Sequence, residues 1–351
     1  MGKKNPVFER PNVIITGGAG FIGSHLTERL LENRNVICID NFVSGIEDNI
    51  DEFLRHYNFE FIRHDITEPF DLADIQKYPI LEKFKVRFQG IQEIYHLACP
   101  TSPAYYEKFP LPTILTSALG TKNVLDVAKK YSAKVVFTSS SAVYGSPLLD
   151  APTKEDYWGY VDPMGPRSCY NEGKRFAESL CMNYRMAEKL DTKVVRVFNT
   201  YGPKMKLGDG RLIPDFVESA LSNTPLTIYG TGSETGTFCY VSDCIEGLMK
   251  VMASREAGPV NIGNPEPLTI RALADHVIHL AQSTSSVQFA DPLPYHQRQG
   301  VPDVDKARDA LGWFPVVSLE DGLQRTIEAM RGRSHIQRLD TSTPQPSSQK
   351  S

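Results

Sequence analysis

Apolar and polar residues alternate in two ways between about residues 12 and 200. Short apolar runs predict buried strands, and longer segments with apolar residues three and four positions apart predict helices. The predicted strands are residues 13–16, 36–39, 59–63, 93–97, 134–138 and 193–198, and the predicted helices are residues 21–31, 112–130 and 167–188. Strands that alternate with helices predict an α/β fold built on a doubly wound parallel sheet.

The first predicted strand, turn and helix contain Gly17, Gly20 and Gly23 in the sequence TGGAGFIG. The second predicted strand ends in Asp40, which completes the order strand, glycine turn, helix, strand and acid of a Rossmann dinucleotide site. Glycines let the backbone approach a pyrophosphate, and the helix N-terminus offers it unpaired N–H groups. Asp40 can accept hydrogen bonds from a ribose diol but would repel a 2′-phosphate, so we expect NAD rather than NADP.

Further residues are expected to line the NAD site, because they lie at the start of the first helix or at the carboxyl ends of the predicted strands, where ligands bind in open sheets. They are Phe21, Ile22, Asn41, Asp65, Ile66, Leu97 and Ala98. Asp65 follows the third predicted strand, a position suited to contacting adenine.

The regular alternation ends near residue 200. Short helices, a glycine-rich loop and brief strands follow, and they predict a smaller substrate-binding lobe with a few segments that return to the first domain. We therefore divide the chain into a polar arm (1–10), an NAD-binding Rossmann domain (11–200), a mainly substrate-binding lobe (201–330) and a tail (331–351). The tail is polar and contains proline, so we expect it to be disordered.

The composition limits the possible partners. The chain is 41% hydrophobic and 23% charged, as expected for a globular protein, and its net charge of −4 provides no basic surface for nucleic acid or an anionic membrane. The six cysteines lack paired metal-ligand spacing, and several lie in apolar runs. No signal peptide or membrane-spanning apolar run is found, so the expected compartment is the reducing cytoplasm.

Tyr170 and Lys174 lie four residues apart in a predicted helix, so their side chains share one face. A cation beside a phenol favours the phenolate and lowers the tyrosine pKa from about 10 toward working pH, which would make Tyr170 a general acid/base. Such a pair alone is a weak signal, because most Tyr-x-x-x-Lys pairs are ordinary helix surface. Ser139, Ser140 and Ser141 follow a predicted strand and should reach the same edge of the sheet.

Three features together resemble the extended short-chain dehydrogenase/reductases that modify nucleotide sugars: TGGAGFIG with Asp40, the serine cluster before VYG, and the Tyr170–Lys174 pair. The similarity runs from about residue 11 to residue 330. Within that group, longer segments look most like UDP-glucuronate decarboxylase, namely CPTSPAYY, GPRSCYNEGKR, DGRLIPDF, YGTGSETGTFCYVSD, VNIGNP and PDVDKARDALGW. These composite segments are specific, whereas the glycine motif alone would not be.

The resemblance implies a reaction. In such enzymes tightly held NAD⁺ takes a hydride from sugar C4 while the tyrosine takes the hydroxyl proton. Tyr170 would be that base, Lys174 would lower its pKa and hold the nicotinamide ribose, and Ser140 would hydrogen-bond the C4 oxygen. Oxidation at C4 of a sugar with a C6 carboxylate gives a β-keto acid, which loses CO₂. Reduction by the retained NADH then gives UDP-xylose, unless part of the product leaves as UDP-4-keto-pentose.

The chain departs from this pattern at three positions. Ala142 replaces the usual glutamate before VYG, Gly236 replaces a usual arginine, and Ser117 replaces an asparagine found in many relatives. The missing glutamate disfavours a dehydratase, which needs a base at C5 and an acid for the leaving hydroxyl. Decarboxylation needs less help, although C5 would require another proton donor. Gly236 removes a cation that would bind an anionic substrate, and Arg298 or Arg211 are expected to replace it.

The predicted catalytic residues are Tyr170, Lys174 and Ser140. The predicted substrate-binding residues are Ser140, Ser141, Tyr106, Asn199, Arg211, Tyr229 and Arg298. No metal is expected, because His64, His96 and His296 share no ligand spacing. The resemblance also implies a homodimer formed through a four-helix bundle, with residues 112–130 and 167–188 contributed by each subunit.

Two alternatives remain open at this point. A small residue at position 142 also occurs in UDP-sugar 4-epimerases, so the chain could invert C4 of a nucleotide sugar or UDP-uronate without loss of CO₂. From a different class, it could be a catalytically inactive NAD-binding protein that keeps the fold after losing the acid and the arginine. Intact Tyr170, Lys174 and Ser140 argue against the inactive protein, because a binding module does not need all three.

Overall fold

The computed structural model describes residues 10–74, 76–148, 151–208, 210–293 and 299–342, and side chains up to residue 332. The strands are β1 (Asn12–Thr16), β2 (Asn35–Asp40), β3 (Phe59–Arg63), β4 (Glu93–His96), β5 (Lys134–Ser140), β6 (Thr192–Val197), β7 (Thr200–Tyr201), β8 (Leu226–Tyr229), β9 (Thr235–Gly236), β10 (Cys239–Tyr240), β11 (Val260–Ile262), β12 (Leu268–Thr269) and β13 (Val287–Ala290).

The α-helices are α1 (Phe21–Leu31), α2 (Val86–Gln89), α3 (Pro103–Lys108), α4 (Pro110–Leu115), α5 (Thr121–Tyr131), α6 (Ser168–Glu188), α7 (Leu212–Leu221), α8 (Val241–Ala253), α9 (Ile270–Ala281), α10 (Asp305–Leu311) and α11 (Leu319–Ser342). A π-helical turn, Thr116–Gly120, joins α4 to α5, so the predicted helix 112–130 is one nearly continuous rod. Short 3₁₀ helices cover Glu47–Asn49, Asp51–Phe53, Pro79–Phe84 and Ser141–Tyr144.

Seven strands form one parallel sheet in the order β11-β6-β5-β4-β1-β2-β3. The chain runs outward from β1 to β3, then crosses back to β4 and continues outward the other way. The order therefore reverses between β1 and β4, and such a reversal opens a crevice at the carboxyl ends of the strands. The predicted doubly wound parallel sheet is confirmed.

Both faces of the sheet are buried. Successive residues of β1 point to opposite sides, so Val13 and Ile15 join one apolar core while Ile14 joins the other. Helices α1 and α8 cover the first face, and α5 and α6 cover the second. This arrangement explains why the strands read as uninterrupted apolar runs rather than alternating ones.

The second lobe is built from small pieces. Strands β8 and β13 pair in parallel, and β9 and β12 pair antiparallel. Helices α7, α9 and α11 pack together around them. One segment returns to the large sheet, because β11 pairs with β6. No helix in the described parts of the chain has the length and hydrophobicity needed to cross a bilayer.

The predicted N-terminal arm and C-terminal tail compare differently with the structure. Helix α11 continues past residue 331, where the sequence predicts the start of a disordered tail, and ends at Ser342. The predicted start of the tail is therefore corrected. Residues 331–342 contain no proline, so a helix that has already formed can extend through them, and the first proline is Pro344. Residues 343–351 and residues 1–9 of the predicted arm lie outside the described residues.

Candidate active site

The glycine turn after β1 is shaped by close backbone approaches. Gly17 has φ +75, and a Cβ there would lie 2.8 Å from the backbone N and Cα of Ala98, which follows β4. A Cβ on Gly23 would lie 2.2 Å from the Gly17 carbonyl oxygen. Helix α1 begins directly after Gly20, whose N-cap position carries no side chain. The turn therefore leaves the amide end of α1 open toward the crevice, a cradle suited to a pyrophosphate.

Asp40 ties the end of β2 to this turn. Its Oδ2 accepts the Ala19 N–H at 3.0 Å, and its Oδ1 accepts the Phe42 N–H at 2.8 Å. Burial raises the pKa of the Asp40 carboxyl above its ordinary value, while the backbone hydrogen bonds oppose this shift. Each oxygen keeps a second lone pair, so the carboxylate can still accept hydrogen bonds from a ribose diol.

The other predicted NAD residues lie at the start of α1 or just after the carboxyl ends of β2, β3 and β4. Asn41 donates to Asp65 Oδ2 at 3.1 Å. Burial acts to raise the pKa of Asp65, but hydrogen bonds from Thr67 and Asn41 outweigh it and lower the pKa. Ile66 is buried after β3. At the switch point, the Leu97 N–H donates to the Thr16 carbonyl at 3.0 Å. In α1, the Phe21 and His25 rings meet edge to face, and Ile22 packs against the apolar core that contains Val13 and Ile15.

Tyr170 and Lys174 both point from α6 into the protein. Tyr170 is 7% exposed and Lys174 is 3% exposed. Lys174 Nζ donates to the Thr138 carbonyl at 2.8 Å and lies 5.9 Å from the centroid of the Tyr170 ring. The predicted shared face is therefore confirmed, and Lys174 is anchored to β5 beside the ring.

The protonation of this pair differs from the sequence-based expectation. Burial raises the pKa of Tyr170 above its ordinary value, and burial lowers the pKa of Lys174. A hydrogen bond with Ser140 and the charge of Arg211 lower the Tyr170 pKa without cancelling the burial effect. The expectation that Lys174 brings Tyr170 toward working pH is therefore wrong for the protein alone, because desolvation of the phenolate dominates.

The three serines at the carboxyl end of β5 have different partners. Ser139 donates to Glu178 Oε1 at 2.5 Å, and Arg196 donates to both oxygens of Glu178 at 2.9 and 2.8 Å. Ser140 Oγ accepts the Ala142 N–H at 3.2 Å, which leaves its proton for Tyr170 or a substrate oxygen. Ser141 Oγ accepts from Gln299 Nε2 at 3.2 Å. Ser139 is thus tied to the Glu178–Arg196 ion pair, whereas Ser140 hydrogen-bonds Tyr170 and Ser141 contacts Gln299.

One aromatic ring packs against the candidate base. Tyr106, on α3, stacks on Tyr170 with the ring centroids 5.5 Å apart and the planes 13° apart. The Arg167 guanidinium also lies over the Tyr106 ring, with its Cζ 5.7 Å from the ring centroid. Ala142 packs into the same small cluster with Cys99 and Cys169. Tyr106, which was predicted to bind substrate, thus lies against the candidate base, whereas Arg167 was not among the predicted residues.

Two of the remaining predicted substrate residues, Asn199 and Arg211, make contacts between the second lobe and the loops at the edge of the sheet. Asn199 Nδ2 donates to Gln299 Oε1, so Gln299 links Asn199 to Ser141. Arg211 precedes α7 and donates to Thr101 Oγ1. Tyr229 is 52% exposed at the end of β8, so its predicted contact with UDP stays a prediction. Arg298 lies outside the described residues.

A scan of family models matches residues 14–326 to the family described as GDP-mannose 4,6 dehydratase. The chain belongs to this family. Among curated relatives, UDP-glucuronic acid decarboxylase 6 of Arabidopsis thaliana is 42% identical over 94% of this chain and 92% of that protein. UDP-glucuronic acid decarboxylase 1 of Danio rerio is 41% identical over 96% of this chain and 77% of that protein.

Solved structures of epimerases share the fold. The UDP-glucuronic acid 4-epimerase of Bacillus cereus, solved with UDP-glucuronic acid and NAD, has a TM-score of 0.79 and 28% identity and covers 92% of this chain and 99% of that one. The UDP-glucose 4-epimerase of Thermotoga maritima, solved with UDP-glucose, has a TM-score of 0.81 and 27% identity with the same coverage. The resemblance drawn from the motifs is confirmed.

Two of the three positions that depart from the family pattern, Ala142 and Gly236, have different surroundings. Ala142 lies beside Tyr170 and Tyr106, so the missing glutamate leaves an apolar wall next to the candidate base. Gly236, in β9, pairs with Leu268, and a Cβ there would lie 3.0 Å from the Phe238 ring. The missing arginine is thus replaced by backbone packed against an aromatic ring.

The histidines have structural partners. His96 shares hydrogen bonds with Thr16 at 2.7 Å and Thr121 at 3.1 Å, and burial lowers its pKa to about 3, so it stays neutral. His64 Nε2 donates to the Glu68 carbonyl at 2.9 Å. His296 lies outside the described residues. Among the described residues no group of three or more His, Cys, Asp and Glu side chains could hold a metal ion.

Proposed function

We propose that the protein is an NAD-dependent decarboxylase of UDP-glucuronate that forms UDP-xylose, with partial release of UDP-4-keto-pentose as a variant of the same reaction. The observation that carries the proposal is the identity of 41–42% to curated UDP-glucuronic acid decarboxylases across nearly the whole chain. The buried Tyr170 and Lys174, together with the half-buried Ser140, would supply the groups that oxidation at C4 requires.

The described residues fit NAD. Side chains at Gly17 and Gly23 would fill the cradle at the start of α1, and Asp40 stands at the end of β2 with lone pairs available for a ribose. When bound, NAD⁺ supplies the acceptor for the C4 hydride and returns the hydride at the end of the cycle. The solved relatives from Bacillus cereus and Bacillus anthracis are NAD complexes, which supports this assignment.

The residues of the chain would handle the protons. Tyr170 takes the C4 hydroxyl proton, and Ser140 donates a hydrogen bond to the C4 oxygen. The resulting 4-keto sugar is a β-keto acid, so the C5–C6 bond breaks, CO₂ leaves, and the electron pair moves into the ketone as an enolate. A proton from water, since Ala142 provides no acid, would then add to C5 and restore the ketone. Lys174, anchored on the Thr138 carbonyl with its Nζ 5.9 Å from the Tyr170 ring centroid, would place its ammonium beside the phenolate.

One assay tests this function. The protein is incubated with UDP-glucuronate and NAD⁺ while CO₂ release is followed and the sugar nucleotide is identified by NMR. We expect CO₂ and UDP-xylose from the unsubstituted protein, and neither product from Tyr170→Phe, which should still bind NAD. Absence of CO₂ from the unsubstituted protein would contradict the proposal.

A 4-epimerase is the second candidate, and Ala142 is the observation that favours it. An apolar residue beside Tyr170 provides no acid for C5, and an epimerase needs none because C5 keeps its substituents. The same assay separates the two reactions, since an epimerase would give UDP-galacturonate without CO₂. The lower identity to the solved epimerases makes this candidate second.

We also propose a homodimer and a cytoplasmic location. Large apolar side chains are exposed along α4, the π-helical turn and α6: Leu111, Ile114, Leu115, Leu119, Phe176, Met182 and Met186. These helices lie side by side, since a Cβ on Gly173 would be 3.0 Å from the Ser117 side chain. Two such faces would bury each other in a four-helix bundle. All six cysteines are free thiols, which suits a reducing compartment.

A further inference from the structure

The proposed substrate carries a carboxylate very close to the reacting atom. C6 is bonded to C5, and C5 is bonded to C4, whose hydroxyl must reach Tyr170. A cation that binds the carboxylate therefore has to lie within a few ångströms of the Tyr170 ring. Gly236 has no side chain and so cannot supply this cation. The side chains nearest to it are those of Phe238 and Ile270, which are apolar.

Two cations near the candidate base are already engaged in positioning contacts. Lys174 Nζ donates to the Thr138 carbonyl and lies 4.9 Å from the Phe137 ring centroid, on the sheet side of Tyr170. Arg211 donates to Thr101 in the loop after β4. Both side chains therefore hold the chain together around the site.

Arg167 has a different environment. Its carbonyl accepts the N–H groups of Tyr170 at 3.1 Å and Asn171 at 2.9 Å, so its backbone is fixed to the turn that carries the base. Its guanidinium lies over the Tyr106 ring, and that ring stacks on Tyr170. Burial raises the pKa of Tyr106, while the charge and hydrogen bond of Arg167 lower it. The guanidinium thus reaches the wall of the site next to the base.

One donor of Arg167 lacks a partner. Its Nε is buried and has no acceptor among the residues that the structure describes. A buried donor without an acceptor costs about 1–3 kcal/mol, so such groups usually have a partner in the working protein. A carboxylate is the natural partner, because it accepts two parallel hydrogen bonds from a guanidinium.

We propose that Arg167 is the residue that recognises the C6 carboxylate of the substrate and so replaces the cation lost at Gly236. The inference rests on the proposed function, since only a uronate carries that carboxylate. Arg167 would select UDP-glucuronate over UDP-glucose, which has a neutral hydroxymethyl group at the same place. It would also orient C5–C6 relative to Tyr170.

Binding measurements on the NAD-loaded protein test this role. The Tyr170→Phe background stops turnover, and isothermal titration then gives the Kd of UDP-glucuronate and of UDP-glucose. We expect Arg167→Gln to weaken UDP-glucuronate about 10- to 100-fold, the range for a charge-assisted hydrogen bond, and to change UDP-glucose less than about twofold. Arg167→Lys keeps the charge without the planar fork, so its loss for UDP-glucuronate should be intermediate.

Arg29→Gln is the matched control, because Arg29 is an exposed arginine in the last turn of α1. It should leave both affinities unchanged. Equal losses for both nucleotides in the Arg167 variants, or no loss for UDP-glucuronate, would overturn the role of Arg167. If the role of Arg167 is overturned but the unsubstituted protein still releases CO₂, the proposed function is retained. If Arg167→Gln does not fold, the Arg167→Lys comparison decides. Equal affinity for both nucleotides and no CO₂ release by the unsubstituted protein would overturn the function as well.

Discussion

Tyr170 lies where its charged form is disfavoured, although the proposed reaction needs it as a base. Burial raises its pKa, and the opposing contributions come from Ser140 and Arg211. The base therefore becomes effective only when further positive charge arrives next to the ring. The nicotinamide of bound NAD⁺ would bring such a charge, so we expect proton removal to depend on the loaded cofactor.

Replacing Ser140 tests this electrostatic balance. The rate must rise with pH as Tyr170 loses its proton, because only the phenolate accepts the C4 hydroxyl proton. The hydrogen bond of Ser140 lowers the Tyr170 pKa, so Ser140→Ala raises that pKa. We therefore expect the ascending limb of the kcat/KM profile to move to higher pH. The measurement is CO₂ release between pH 6 and pH 10, a range chosen around ordinary tyrosine titration.

Ser141→Ala is the control for this profile, since Ser141 contacts Gln299. It should weaken substrate binding and leave the limb at the same pH. An unchanged profile for Ser140→Ala, or an equal shift in both variants, would mean that Ser140 does not tune the base.

At the scale of elements, the β1–α1 turn is the most constrained part of the NAD site. Gly17 has φ +75, where a side chain is strained, and a Cβ would meet the Ala98 backbone at 2.8 Å. We expect Gly17→Ala to lower the free energy of unfolding by about 1–3 kcal/mol and to abolish NAD binding, because the turn must shift away from β4. Urea unfolding and NAD titration measure the two effects.

Gly258→Ala provides the comparison for this substitution. Its φ lies outside the strained positive range, and no described atom lies within 4 Å of the position a Cβ would take. It should keep both stability and NAD affinity. Normal NAD binding by Gly17→Ala would show that the turn does not cradle the cofactor.

The same scale shows what local sequence can reveal. The period of apolar residues placed β1, α1 and α6 within one residue of their ends, since each buries a face by itself. The pattern did not show that β11 joins β6, because three residues carry no period and their pairing is tertiary. It also left residues 70–92 undecided, where the structure has a 3₁₀ helix and the single turn of α2.

The candidate site divides in a similar way. Motif and spacing were sufficient to propose four residues, because their neighbours are close in sequence or lie at strand ends: Gly17, Asp40, Tyr170 and Lys174. Gln299 contacts Asn199 and Ser141, which lie 100 and 158 residues away in the chain, and such contacts leave no local pattern. Arg167 lay inside the quoted GPRSCYNEGKR segment, and its spacing of three from Tyr170 was the available signal.

At the scale of the whole molecule, polar contacts hold the lobe against the sheet around the candidate base. Gln299 links Asn199 to Ser141, and Lys206 donates to the Tyr105 hydroxyl at 2.5 Å. Arg211 reaches Thr101. All three connections involve exposed or half-buried groups. A nucleotide sugar that enters between the parts can take over these donors, so binding can exchange protein contacts for substrate contacts at little net cost.

The exposed face of α4 and α6 leads to a prediction about assembly. Phe176 on α6 is 53% exposed although it is a large apolar residue beside other apolar residues of the proposed interface. In a four-helix bundle, Phe176→Glu would place a carboxylate from each subunit in apolar surroundings, and an unpaired buried charge costs several kcal/mol. We therefore expect light scattering after gel filtration to give the mass of two chains for the unsubstituted protein and of one chain for Phe176→Glu.

Phe88→Glu separates assembly from general effects of surface charge. Phe88 is 90% exposed and lies on α2, away from α4 and α6 in the chain, so its variant should keep the mass of two chains. Because Gly173 brings α6 close to Ser117 in the π-helical turn, the interface would also brace the helix that carries Tyr170. The Phe176→Glu monomer should therefore unfold at a lower urea concentration than the dimer. A mass of one chain for the unsubstituted protein would rule out the bundle.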